Sequence, residues 1–465
     1  MTAGLQNAAM ISSGELYLLN GTTGGELQPL PFFLNKNFRV LSANLDCAYI
    51  AVEPPVCPPE YERPPCSVYC FNGTTSEPEL CQEFEELQAP IRQIANGANH
   101  VLVLTEDGTL YSRGTAVYGS TGHGGARNVP DFRPVPALQG KKVKFVACGG
   151  NFSIAITFEG DVYSWGRSFQ GETGLFSKVE TVPRFAPEVT PYRVVEVSCG
   201  DGHVLARTES QQCIAWGENT CGQLGLGMKS KPTYKPQLLD SIPSQVASVS
   251  AGWAHSVAVG TDGRVYTWGL NSHGQLGLGD TKTRLAPHLL HGLIDMHQVE
   301  SAHAARSLTI LRTSSQKALF CGQIPRDPSG APMDFAPRRP GNRDPDGCIL
   351  APVALNLSKG ANLGSSPAQL SDIVAFDRGA IGYARSTVYR VAPNVAPVGG
   401  GTKIRAMVTG LPFDTSKPMQ STMSSMLVQD AIPCQVRLKS MSPICDMIVK
   451  GRIIAKDTVE FIAPD

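Results

Sequence analysis

The chain of 465 residues carries 40 basic and 40 acidic side chains, so no global field draws it to nucleic acid or to an acidic membrane surface. Its length allows a large core and more than one domain. No apolar run reaches the ~18 residues that a membrane-crossing helix needs, and the N-terminus lacks an export signal. These features predict a cytoplasmic protein without membrane insertion, whose 13 cysteines stay reduced.

In chain order, Thr2 to Ile11 opens with an alanine-glycine strand that has no strand before it. Leu16–Asn20 and Val68–Asn72 then run into Gly21 and Gly73. Between them lies a proline-rich insertion, Val52–Ser67. A pattern repeats about every fifty residues and is clearest between Ile91 and Gly279: a strand, a glycine-containing turn, a second strand, and a strand that ends in glycine. Its marks are Gly21, Gly73, Gly114, Gly166, Gly217, Gly269 and Gly322.

The clearest copy runs from Val249 to Val259, turns at Asp262-Gly263 and continues through Trp268-Gly269 to Gly274-Gln275-Leu276-Gly277. Val257 and Val259 alternate with smaller residues, which is a strand period. Asp-Gly supplies a tight hairpin turn, and the glycine-rich stretch after Trp268 is excluded from a helix interior. A second insertion spans 323–369 and holds Arg326, Arg338, Arg339 and Arg343 among matching aspartates. Loops of that length are either functional or solvated excursions. These four arginines are the candidate partner contacts, and the balancing acids argue against a nucleic-acid patch.

The motifs Ala251-Gly252-Trp253-Ala254-His255, Thr267-Trp268-Gly269 and Gly274-Gln275-Leu276-Gly277, recurring at this period, resemble the regulator of chromosome condensation repeat family. Kelch and WD repeats fit less well. The resemblance implies an all-β fold, a seven-bladed β-propeller over 1–386. Its last blade would be shared by the N-terminal segment and about 349–386, which leaves no strand edge open. Beyond the joint at Val391–Gly401 come strand-like pieces such as Thr402–Val408, and the run Thr387–Val391 with Pro393, Pro397, Gly399–Thr402 and Gly410–Phe413 resembles an IPT/TIG immunoglobulin-like domain over 387–465. The expected ensemble is therefore a propeller followed by an immunoglobulin-like β-sandwich.

His100, His203 and His255 share one place in their repeats and read as hydrogen-bonded core residues, because the equivalent place at Phe152 holds no imidazole. Cys57, Cys66, Cys70 and Cys81 lack the paired spacing of zinc sites. The glycine-rich loops lack the lysine and helix of a phosphate loop. Glu106, Asp107 and Asp262 sit at hairpin turns. No catalytic group, metal or cofactor is expected, and the chain reads as no enzyme.

The resemblance implies a protein-docking scaffold, and relatives of that family suit a post in a cytoskeletal or ciliary assembly. The alternative is nucleotide exchange on a small Ras-like GTPase, with Val52–Ser67 as the wedge. The chromatin-binding member's basic N-terminal tail has no counterpart here.

Overall fold

A computed structural model describes residues 37–53 and 65–354 apart from 44–47, 72–77, 126, 292–297, 315–317 and 324–347. Outside those limits it describes the strands Ile11–Asn20, Gln28–Pro29, Leu370–Phe376, Gly379–Ala392, Lys403–Thr409, Ile432–Lys439, Asp446–Ala455 and Thr458–Ile462. Six four-stranded antiparallel meanders follow one another at 37–80, 91–134, 143–185, 194–238, 246–289 and 299–354. They are numbered here as blades one to six. The fourth is typical: inner strand Val194–Cys199, second strand His203–Thr208, third strand Cys213–Gly217 and outer strand Thr233–Leu238. Inner strands of successive blades lie against one another around an axis, so the architecture is a β-propeller.

The blade count corrects the seven-bladed expectation: among the described residues there are six four-stranded blades, not seven. Ile349–Ala354, assigned from sequence to the last blade, is the outer strand of blade six, where Gly322 faces Ile349 across the ladder. The Gly21 mark follows Ile11–Asn20, which pairs with Gly379–Ala392 and belongs to a different, eight-stranded sheet. That sheet also takes in Leu370–Phe376 and the strands Lys403–Thr409, Ile432–Lys439, Asp446–Ala455 and Thr458–Ile462. Leu370–Phe376 lies against the inner strands of blades six and one. The strands expected to form an immunoglobulin-like sandwich enter this one sheet, and the segments linking them lie outside the described residues, so that domain is not shown.

The core is interleaved between blades. Phe152, Ile154 and Ile156 of blade three pack with Val204, Ala206 and Trp216 of blade four. Leu205 and Ala215, one step along the same strands, face the other way toward Ala258 and Trp268 of blade five. Because successive strand side chains point to opposite faces, each second strand is buried on both sides. Phe152–Thr157 and His255–Gly260 are buried throughout. The alternation read from sequence is thus large against small, with both sides apolar.

Two glycine sites explain the repeat. The glycine ending each third strand has φ of +102° at Gly217 and +96° at Gly269. A Cβ there would strike the backbone just before the histidine of the second strand, so both conformation and space require glycine. The glycine three residues before each ring is different. A Cβ on Gly97, Gly200 or Gly252 would collide with the imidazole of His100, His203 or His255, and one on Gly149 with the ring of Phe152. Each ring lies flat over bare backbone.

Candidate protein-docking face

The three histidines reach from one blade to the next. His100 Nε2 lies 2.7 Å from Ser153 Oγ, His203 Nε2 3.0 Å from Ser256 Oγ, and His255 Nε2 3.0 Å from Thr309 Oγ1. Each hydroxyl donates its single proton to a loop carbonyl: Ser153 to Ser120, Ser256 to Gln223, and Thr309 to Gln275. The imidazole must therefore donate through Nε2, and Nδ1 carries a lone pair with no partner on all three rings. Burial lowers their pKa to about 4 for His100 and about 3 for His203 and His255, so the rings are neutral. They are structural clasps, as their repeat position indicated.

Two of these carbonyls, Ser120 O and Gln223 O, also receive indoles, and Glu172 O receives a third. Trp165 Nε1 donates to Ser120 O at 2.7 Å, Trp216 to Glu172 O at 2.9 Å and Trp268 to Gln223 O at 2.9 Å. The outer loops of blades two, three and four are thus gripped by the tryptophan of the following blade, and that of blade five by the Cys321 thiol of blade six at 3.6 Å. Where Phe152 replaces histidine, its forward neighbour is Val204 instead of a hydroxyl residue, and both are fully buried. Replacing both halves of a polar pair with apolar groups leaves nothing unsatisfied. Ser256→Val alone strands the His203 donor and is expected to cost about 1–2 kcal/mol. Adding His203→Phe, which copies Phe152 and Val204, should recover part of that loss in urea unfolding, a signature of coupling.

Antiparallel pairing sets which loops share a face. His203 faces Gly217 across the ladder, so the inner loop (inner to second strand) and the outer loop (third to outer strand) emerge at the same end. On this face the inner loops are linked around the axis: Ala98 N donates to Gly150 O at 2.8 Å, Asp201 N to Trp253 O at 3.3 Å, and Trp253 N to Ala305 O at 3.3 Å. Trp253 is 45 % exposed here, and the Arg306 guanidinium lies 5.7 Å from its ring centroid. The equivalent places in blades two, three, four and six hold Ala98, Gly150, Asp201 and Arg306. Nothing in the fold requires an indole at Trp253.

One ion cluster stands on this face. Arg167 Nε lies 2.9 Å from Glu172 Oε1, poorly aligned for a hydrogen bond, and Arg167 Nη2 lies 3.2 Å from Asp201 Oδ2. Glu172 is fully buried, and burial raises its pKa. Its other oxygen accepts from Gln170 N at 2.7 Å. Gln223 and Gln275 do the same for Cys221 N and His273 N in their own loops, so Glu172 is a loop-closing residue with an added charge.

Other sequence candidates fall elsewhere. Arg326, Arg338, Arg339, Arg343 and Cys57 lie outside the described residues. The first insertion joins the second and third strands of blade one, on the opposite face, and most of it also lies outside them. Cys66 and Cys81 are buried without a disulfide, and burial pushes Cys66 up to about 11. Asp107 accepts from Thr109 N and Oγ1, and Asp262 from Arg264 N, so both close turns. Glu106 pairs with Arg39. Among the described residues no group of histidine, cysteine or carboxylate side chains is placed to hold a metal, and no helix is long and apolar enough to cross a membrane. The sequence reading passed over Trp253, although its departure from the sister repeats was visible there.

Interlocked four-stranded meanders, each gripping the loop of the one before, define a β-propeller of the repeat type that the motifs resembled. Residues 67–354 match the RCC1-like domain, and the chain belongs to that family. It is 33% identical over 205 residues to the ultraviolet-B receptor UVR8 of Arabidopsis thaliana, across 44% of this chain and 47% of that protein. It is 31% identical over 254 residues to the human E3 ubiquitin-protein ligase HERC2, across 53% of this chain and 5% of that one. The chain thus spans less than half the length of these curated relatives. Among solved structures, human WBSCR16 superposes with a TM-score of 0.62 at 15% identity, covering 80% of this chain and 99% of that one. Prp20p of Saccharomyces cerevisiae does so with 0.54 at 19% identity, covering 87% and 85%. Both likenesses are of fold.

Proposed function

We propose that the chain is a non-catalytic docking platform that engages other proteins through the face bearing Trp253, as a post within a larger cytoplasmic assembly of cytoskeletal or ciliary kind. The observation that carries this reading is Trp253 itself, half-exposed beside Arg306 where the sister loops carry neither the need nor the residue for it. Exposed tryptophan beside arginine is the composition of interface hot spots. A receptor and a ligase share this repeat region, which suits a part that binds more than one that performs chemistry.

The alternative, nucleotide exchange, draws on the fold of Prp20p, whose structure is described together with its binding to Gsp1p and histones. Nucleotide release from purified Ras-like GTPases, with and without the chain, separates the two readings. Unchanged release is expected, together with stoichiometric capture of partner protein that Trp253→Ala weakens at least tenfold, about 1.4 kcal/mol, without altering the melting temperature. Catalytic acceleration of release would overturn the docking reading.

A further inference from the structure

The six blades act as internal controls: where one outer loop departs from its sisters without a packing reason, another pressure has acted on it. The outer loop of blade three, 168–178, departs twice. Phe169 stands where blades two, four and five carry the smaller Val117, Thr220 and Ser272, and Phe176 where three sister loops carry Gly124, Gly227 and Gly279. Those glycines have φ of +84°, +78° and +84°, so the common loop turns there through a conformation that blade three has given up for a side chain. Phe176 is 69% exposed and Phe169 43%. Burial explains neither.

Neighbouring blades extend the apolar surface. Tyr118, on the outer loop of blade two, meets Phe169 edge-on with ring centroids 5.3 Å apart. Its backbone is left-handed at φ 56°, a costly conformation for a bulky residue. The equivalent Gln170, Cys221 and His273 do not adopt it. At the far side Phe176 stacks on Tyr234 of blade four at 5.8 Å, because loop 168–178 lies over that outer strand, with Gly171 against Thr233 and Tyr234. The rings form an arc across three blades on the docking face.

The charge around the arc is one-sided. Exposed Lys178 follows Phe176, and exposed Lys229 and Lys231 lead into the strand of Tyr234. These three make no ion pair among the described residues, whereas nearby Glu180 and Glu188 are already paired, with Arg184 and Lys235. Unspent cations beside exposed rings favour an occupant that is both acidic and apolar. A nucleic acid fits less well: the rings are turned against one another, and a neutral chain offers few phosphate contacts.

We propose that Tyr118, Phe169, Phe176 and Tyr234, flanked by Lys178 and Lys231, form a docking site for an acidic peptide segment of a partner protein bearing aromatic or large aliphatic anchors. The apolar anchors lie on the phenylalanines while carboxylates meet the lysines, whose attraction speeds encounter and is screened by salt. This site rests on the docking reading but uses residues apart from Trp253, so the two fail separately.

A random peptide library displayed on phage, selected on the immobilised chain and counter-selected on a Phe169→Thr/Phe176→Ser variant, tests it. Phe169→Thr copies Thr220 and Phe176→Ser removes only an exposed ring, so the variant should melt as the parent does. The expected survivors are rich in Asp and Glu around an aromatic or leucine anchor. An enriched peptide, labelled and titrated by fluorescence anisotropy, should bind at least tenfold more weakly to Lys178→Glu/Lys231→Glu and more weakly at high salt, while Trp253→Ala leaves it unchanged. The proposal is overturned if the variant retains the same peptides, if survivors are not acidic, or if labelled oligouridylate binds this arc in their place. A concentration-dependent dimer in light scattering that Phe169→Thr/Phe176→Ser abolishes would assign the arc to a second copy and overturn it as well.

Discussion

Arg167→Leu is expected to cost about 3 kcal/mol of stability, and adding Glu172→Gln is expected to return most of it. Arginine is the nearest counter-charge to a carboxylate with no exposure to solvent. Breaking a buried pair from one side strands the other charge, which then stays desolvated or takes up a proton. The rescue has a template in blade five, where Leu270 and Gln275 occupy the places of Arg167 and Glu172 and Gln275 closes its loop through His273 N at 2.9 Å. Urea unfolding of the parent, the single and the double variant gives the cycle. A double variant no better than Arg167→Leu would show that the arginine acts through Asp201 or packing, and that the carboxylate is not the source of the loss.

Stability is expected to collapse on mild acidification. In unfolded chain a histidine titrates near 6.5, whereas burial lowers His100 to about 4 and His203, His255 and His303 to about 3. Below about pH 6.5 the unfolded state binds protons that the folded state refuses. Stability is therefore full above that pH and falls steadily as pH drops toward 4. By linkage, each such ring forfeits on the order of 2 kcal/mol at pH 5, and four together rival the ~5–15 kcal/mol that holds a domain folded. Thermal melts between pH 7.5 and 5 should show a steep decline. The His203→Phe/Ser256→Val variant should decline less steeply, having one fewer ring to charge. A melting temperature flat over that range would mean that the rings are protonated in place.

Much of this architecture was written in the spacing of a few residues. Gly217 and Gly269 close strands at positive φ, Trp216 and Trp268 precede them, and the ring at His203 or Phe152 covers a glycine three places back. All are local consequences of one meander and recur visibly. The number of blades was not legible by the same route. Gly21 carries the mark, yet the strand before it pairs with Gly379–Ala392 across almost the whole chain, and no local signal announces a pairing so remote. The arginine-rich insertion is marked in sequence only by its length and composition, and Arg326, Arg338, Arg339 and Arg343 lie outside the described residues. By contrast Trp253, Phe169 and Phe176 stood in plain view. Aligning the repeats to find what they share hides the places where one copy differs, and those are the places where the fold makes no demand. Their common face was beyond sequence, because it depends on the parity of strands between loops.

The clasp between blades has two unlike halves, a ring on the leading edge and a hydroxyl or valine on the trailing one. Units joined in this way behave like dominoes: a tile can be copied or moved only where its edges match those it will touch. Blade four duplicated beside itself would set His203 against Val204, and blade three Phe152 against Ser153, and each misfit leaves a polar atom dry. Blade five, with His255 and Ser256, would match its own copy. Growth of such a ring by duplication is therefore free at some seams and demands paired changes at others, and the Phe152–Val204 seam is one where both edges differ from the polar clasp together.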